Sequence, residues 1–185
     1  MNPKHIAVLV GSLRENSFSQ KIAHALAEQA PASLQLDVVE IGDLPLYNPD
    51  LETDAPPAPW QRFREQMKLA QGVIFVTPEY NRSMPAAVKN ALDVGSRPYG
   101  KNVFGGKPGA IVSSSPGAIG GFGANHHLRQ SLVFLDVLPM QQPEAYLSGV
   151  DKLLAADGRF VPATAEFLGK FMTAFSTWVD RVARG

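Results

Sequence analysis

Residues 5–27 read HIAVLVGSLRENSFSQKIAHALA. Ile6 to Val10 is an unbroken apolar, β-branched run of strand length, as expected for a strand buried on both faces of a parallel sheet. Gly11 and Ser12 break it. Phe18, Ile22, Ala25 and Leu26 then fall on one helical face, and Pro31 closes that segment. A buried strand passing through a tight loop into an amphipathic helix is the opening half of a βαβ unit.

The same alternation continues outward from this stretch. Strands are predicted at 5–10, 36–41, 73–77, 110–113 and, most weakly, 137–141. Helices are predicted from about Phe18, over about 59–71 after the proline-rich loop DAPPAP (54–59), from Pro85, over about 124–136, and over about 162–183. Pro85 suits a first helical turn, where its missing N–H is not needed. The last helix carries one apolar stripe through Leu168, Met172, Phe175 and Val179 and a second through Phe167, Phe171, Ala174 and Trp178, a face wide enough to reach beyond its own sheet. Segments 42–58 and 142–160 are read as loops within one domain spanning 1–185.

Composition narrows the chemistry. The 185 residues include no cysteine, which excludes a disulfide framework, a thiolate nucleophile, Cys-ligated zinc and a cysteine-held iron–sulfur cluster. A redox role therefore requires a bound cofactor. Seventeen Lys and Arg balance 17 Asp and Glu, so neither a nucleic-acid footprint nor a membrane-binding basic patch is present. The first apolar run is too short for a signal sequence, and nothing approaches the roughly 20 apolar residues of a membrane span. A cytoplasmic protein with small-molecule partners is expected.

Ligands of open parallel sheets gather outside the carboxyl ends of the strands, which singles out three loops. The first, Gly11 to Ser19, offers Ser12, Arg14, Ser17 and Ser19 beside a helix N-terminus, a set suited to a terminal phosphate. It is neither a Walker A sequence nor G-x-G-x-x-G. Ser17 with Gln20 three residues later is also a capping-box pattern. The second, TPEYNRSMP (77–85), is held by two prolines and exposes Tyr80 and Asn81, as suits a flat heteroaromatic ring. Glu79 reads either as a nucleophile or base, or as a carboxylate that braces the loop. The third, SSSPGAIGGFG (113–123), has four glycines that permit close backbone approach. His126 and His127 are adjacent and cannot share a helical face, so no metal site is expected; surface or interface roles are. Trp60 and Trp178 read as packing residues.

Together the segments GSLRxxSxxxxxA, TPEYNxSxPxxxKNAxD and SSxGxxGG followed by HLRQ resemble the NAD(P)H-dependent FMN reductase family, in particular its chromate and quinone reductase branch. The resemblance covers about residues 5–144. It implies a flavodoxin-like three-layer α/β/α fold with a five-stranded parallel sheet in the order 2-1-3-4-5, the order for which FMN sits between strands 1 and 3. It implies that Ser12, Arg14, Ser17, Phe18 and Ser19 surround the FMN phosphate, that Pro78, Glu79, Tyr80 and Asn81 line the isoalloxazine, and that Ser114, Ser115 and Gly117 close the other side. It further implies NADPH or NADH as co-substrate, ping-pong hydride transfer through FMN to quinones, chromate-like or other small acceptors, no catalytic side chain, and a homodimer or homotetramer. Arg82 stands where relatives often carry a second tyrosine, and Val94-Gly95 where an aromatic is common; both are expected to border the acceptor face, with Arg82 drawing an anionic acceptor or a 2′-phosphate. Two other classes compete: a flavin-binding electron carrier without turnover, and a group-transfer enzyme using Glu79 as nucleophile.

Overall fold

The computed structural model describes residues 2–183. Six strands, β1 (Lys4–Val10), β2 (Leu34–Val39), β3 (Gly72–Pro78), β4 (Pro108–Ser115), β5 (Leu138–Pro139) and β6 (Ala145–Ser148), form one sheet. Five helices flank it: α1 (Phe18–Glu28), α2 (Ala58–Leu69), α3 (Ala86–Gly95), α4 (Phe122–Phe134) and α5 (Pro162–Val182). All pairings are parallel, and the order is β2-β1-β3-β4-β5, with β6 also pairing β4.

Each central strand sends alternate residues to two separate cores, which explains why its sequence is apolar throughout. On one side Ile6, Val8, Ile74 and Val112 meet Ile22 and Leu26 of α1 and Leu168, Phe171 and Phe175 of α5. On the other, Ala7, Leu9, Phe75 and Ile111 meet Trp60 and Phe63 of α2, Val88 and Leu92 of α3, and Leu128 and Leu132 of α4.

The fifth strand departs from expectation. Only Leu138–Pro139 pairs, against Pro108 and Gly109, and the chain rejoins the sheet at Ala145–Ser148 against Val112 to Ser115. Pro139 and Pro143 lack the donors that a continuous ladder would need. The loop 142–160 therefore contains a strand and a 3-10 turn at Val150–Leu153. Loop 42–58 likewise holds a 3-10 turn at Pro49–Leu51. It is fastened by Asn90, whose amide donates to the carbonyls of Leu44 and Pro45 and whose oxygen accepts the N–H of Tyr47. Arg64 fastens it further through a two-pronged pair with Glu52.

The wide face of α5 also resolves differently. Phe171 is buried, and Phe167, Ala174 and Trp178 pack against this chain's own core. The Trp178 indole donates to the Leu138 carbonyl at 2.7 Å. Trp178, at the end of that second stripe, thus covers the short β5 edge. Trp60 is a packing residue as expected, fully buried and stacked on Tyr47. The Val94-Gly95 departure belongs to packing rather than to an acceptor face: Val94 is buried, and a side-chain carbon at Gly95 would lie 2.5 Å from the Phe104 ring.

Candidate functional site: a crevice at the carboxyl ends of β1, β3 and β4

Gly11 ends β1 with its N–H donating to the Val76 carbonyl. A β-carbon there would stand 2.9 Å from Val88, 3.1 Å from the Thr77 hydroxyl and 3.2 Å from Pro78. Only glycine lets the first loop pass so close to the second. The chain then climbs to Ser17, the N-cap of α1, whose hydroxyl accepts the Gln20 N–H at 3.2 Å. The capping use of Ser17 is therefore real, and it leaves Ser12 and Ser19 as the loop's other hydroxyls and Arg14 as its cation. Ser12 and Ser19 are both buried. Among the described residues Ser19 Oγ has no hydrogen-bond partner although it is buried. Buried hydroxyls are nearly always satisfied, so an orphan beside a helix N-terminus points to a ligand acceptor.

After β3, residues 80–83 form a two-residue hairpin. Tyr80 and Ser83 exchange both backbone hydrogen bonds, at 2.9 and 3.0 Å, and Asn81 and Arg82 occupy the left-handed region at φ 51° and 65°. Asn is a favoured residue for such a turn, whereas Arg at the second central position is strained. Arg82 is held at the exposed tip, its side chain 78% accessible. Glu79 does the opposite. Its carboxylate is largely buried, accepts the Ala124 N–H near the start of α4 at 3.1 Å, and lies 3.6 Å from the Arg82 guanidinium. It caps α4 and ties the second loop to the third, which is the bracing use anticipated for it.

The third loop leaves β4 through the buried Ser114, and Ser115 accepts the Gly117 N–H at 3.0 Å. The three loops enclose a cavity of about 400 Å³. Ser12, Arg14, Ser17, Phe18 and Ser19 line it from the first loop, Pro78, Glu79 and Tyr80 from the second, and Ser114 and Ser115 from the third. Asn81 and Gly117 are not on its wall: the first occupies the hairpin turn, and the second turns its carbonyl to the N–H of Gly149. Pro116 and Val150 complete the lining and were not singled out from sequence. Pro116 sits between expected residues, but Val150 arrives only because β6 returns beside β4, which local pattern does not reveal.

The two histidines are exposed. His127 Nδ1 is 3.0 Å from the Ser83 hydroxyl, joining α4 to the hairpin. His126 Nε2 is 3.0 Å from the Tyr146 hydroxyl, which donates to Glu144. Desolvation, reinforced by Glu144, pushes the Tyr146 phenol up to about 12, so it is protonated across the physiological range. Among the described residues no group of three or more His, Asp or Glu is arranged to hold a metal, and no helix is long and apolar enough to cross a membrane.

A doubly wound parallel sheet in this order, with its crevice between the first and third strands, defines a flavodoxin-like protein. The chain resembles the FerB flavoenzyme NAD(P)H:(acceptor) oxidoreductase from Paracoccus denitrificans with a TM-score of 0.89 and 41% identity, covering 96% of this chain and 98% of that one. It is 59% identical over 174 residues to a quinone reductase of Pseudomonas putida, covering 94% of each chain. It is 48% identical to a 2-hydroxy-1,4-benzoquinone reductase of a Burkholderia species, covering 94% of this chain and 95% of the other. The family model described as NADPH-dependent FMN reductase matches residues 5–152, and the chain belongs to that family. Membership makes it an oxidoreductase whose cofactor is FMN and whose co-substrate is a reduced nicotinamide.

The cap made by Glu79 gives a direct expectation. Glu79→Ala removes a largely buried acceptor from the start of α4 and lowers unfolding stability by about 1 kcal/mol, whereas Glu79→Gln, which keeps an acceptor oxygen, costs less. Urea denaturation of the three proteins checks this, and equal stability of the Ala variant and the parent would contradict the cap.

Proposed function

We propose that the chain, acting as one FMN-binding domain over residues 1–185, passes hydride from NADH or NADPH to quinones by a ping-pong mechanism, with chromate-like anions as further acceptors. The orphaned Ser19 hydroxyl carries this proposal. Ser12, Arg14 and Ser19 would hold the FMN phosphate at the N-terminus of α1, where helix dipole, guanidinium and hydroxyl donors act together. Pro78, Glu79 and Tyr80 would border the isoalloxazine, with Ser114 and Ser115 opposite. When bound, FMN supplies the hydride-carrying centre, so no side chain needs to act as nucleophile. Glu79, committed to α4, braces the site. One open crevice serving both donor and acceptor supports alternating occupancy, and a cytoplasmic location fits dependence on a reduced nicotinamide.

The phosphate assignment separates from general damage by comparing FMN with riboflavin, which lacks the phosphate. Ser19→Ala deletes a hydroxyl that has no hydrogen-bond partner in the described chain, so apo-protein stability should hold or rise. FMN affinity is expected to fall by roughly ten-fold or more while riboflavin affinity stays level, as for loss of a hydrogen bond to a charged group. The reconstituted parent should lose its flavin absorbance under anaerobic NAD(P)H and regain it with a quinone. Failure to retain FMN, or no bleaching, would sink the proposal.

Arg82 is the proposed selector for anionic acceptors, because a cation is kept at a strained, exposed turn position beside the crevice. Arg82→Gly relieves the strain and removes the charge. The expected outcome is a more stable enzyme with a raised KM for chromate and an unchanged KM for a neutral quinone; parent-like constants for both would remove Arg82 from acceptor choice.

We also propose that the chain works as a homodimer or homotetramer through the outer face of α4, where consecutive Val133 and Phe134 are each 77% exposed. Sedimentation velocity at micromolar concentration should show an oligomer in the parent and a smaller species for Phe134→Glu, while a monomeric parent would end the idea.

A further inference from the structure

A second groove, about 490 Å³ in volume, runs between α1 and the end of β2 and shares Ser12 with the crevice. We propose that it takes the adenosine half of the nicotinamide dinucleotide and that Glu40 makes the enzyme select NADH over NADPH; this rests on the donor role proposed above. The groove is of the size that binds small ligands, and its floor is apolar, formed by the buried Val10, Ala23 and Val39. Leu13 and Val38 also line it and are 56% and 62% exposed. Exposed apolar side chains bordering a pocket lose water favourably to a flat aromatic base. Gln20 and His24, one turn apart on α1, add an amide and ring nitrogens with which a purine edge can exchange hydrogen bonds.

Glu40 supplies the discrimination. It lies just past β2, is exposed, and lines the groove. One carboxylate oxygen accepts the Gly42 N–H at 2.6 Å, which fixes the group in place. An oriented carboxylate accepts hydrogen bonds from the adjacent hydroxyls of a ribose and repels a phosphate in the same position, the chemistry by which dinucleotide-binding α/β folds read a 2′-hydroxyl. A neighbouring cation would reverse that preference. Arg62, whose guanidinium reaches the Glu40 carbonyl at 2.9 Å, is instead paired with Asp43 at 2.6 and 2.8 Å, so its charge is already matched. Ser12 lines both, so the groove adjoins the phosphate end of the crevice and is open to a dinucleotide that reaches bound FMN from outside.

The test uses FMN-loaded enzyme and anaerobic rapid mixing, reading flavin bleaching with NADH, NADPH and reduced nicotinamide mononucleotide, which has no adenosine. The parent should show the tightest apparent Kd for NADH and a weaker one for the mononucleotide. Glu40→Gln keeps an acceptor for Gly42 and removes the charge. It should tighten NADPH by roughly three- to ten-fold, weaken NADH slightly, and leave the mononucleotide unchanged, as expected for relief of a like-charge contact. An unchanged ratio of NADH to NADPH in Glu40→Gln, or a mononucleotide that binds as tightly as NADH in the parent, overturns the inference while leaving the proposed function intact. Retained flavin that no donor bleaches overturns both.

Discussion

The absence of a side chain at Gly11 is the constraint from which the rest of the site follows. β1 and β3 are neighbours in the centre of the sheet, and the helix that follows β3 begins almost above the end of β1. With contacts already at 2.9 to 3.2 Å from a hypothetical β-carbon, any larger residue would force apart Val88, Thr77 and Pro78. That separation would widen the gap between the first loop and the second. The crevice would then open before any ligand reached it.

Glu79 does a complementary job on the far side. Where Gly11 allows two loops to meet, Glu79 holds the second to α4 through the Ala124 N–H, and His127 repeats that link through Ser83. The site is therefore framed by backbone approach on one side and by side-chain pins on the other. Deeper in, Asn125 donates to Ser113 and accepts from Arg129, which in turn reaches the Met140 carbonyl. A buried polar chain thus runs from the sheet to the segment between β5 and β6. Satisfied networks of this kind specify one arrangement of the elements they join.

Much of this was legible in the residues, for identifiable reasons. Apolar runs such as Ile6 to Val10 and Val73 to Val76 are buried on both faces, and burial imposes a composition that can be seen without coordinates. The first loop's place on the crevice was legible because hydroxyls, an arginine and a helix start are packed into nine residues at the end of a buried strand. What escaped depended on distance in the sequence. Val150 joins the crevice, and β6 joins β4, through a return of the chain that no local periodicity encodes. Trp178 could be recognised as apolar helical surface, but not as the cap of β5, since its partner carbonyl lies 40 residues away. The groove at Glu40 was missed for a related reason: its walls come from α1, β2 and the first loop, and none of the three is unusual alone.

The unsatisfied Ser19 hydroxyl has a bearing on the life of the protein outside catalysis. A buried polar atom without a partner is a standing cost to the folded chain, of order 1–3 kcal/mol, that an acceptor in the crevice removes. A ligand that binds only the folded chain raises its stability in proportion to the logarithm of its free concentration. The empty form is then the one that opens more often and is more readily degraded. With the FMN phosphate placed on Ser19 as proposed, the supply of cofactor would set how long each copy of the enzyme survives.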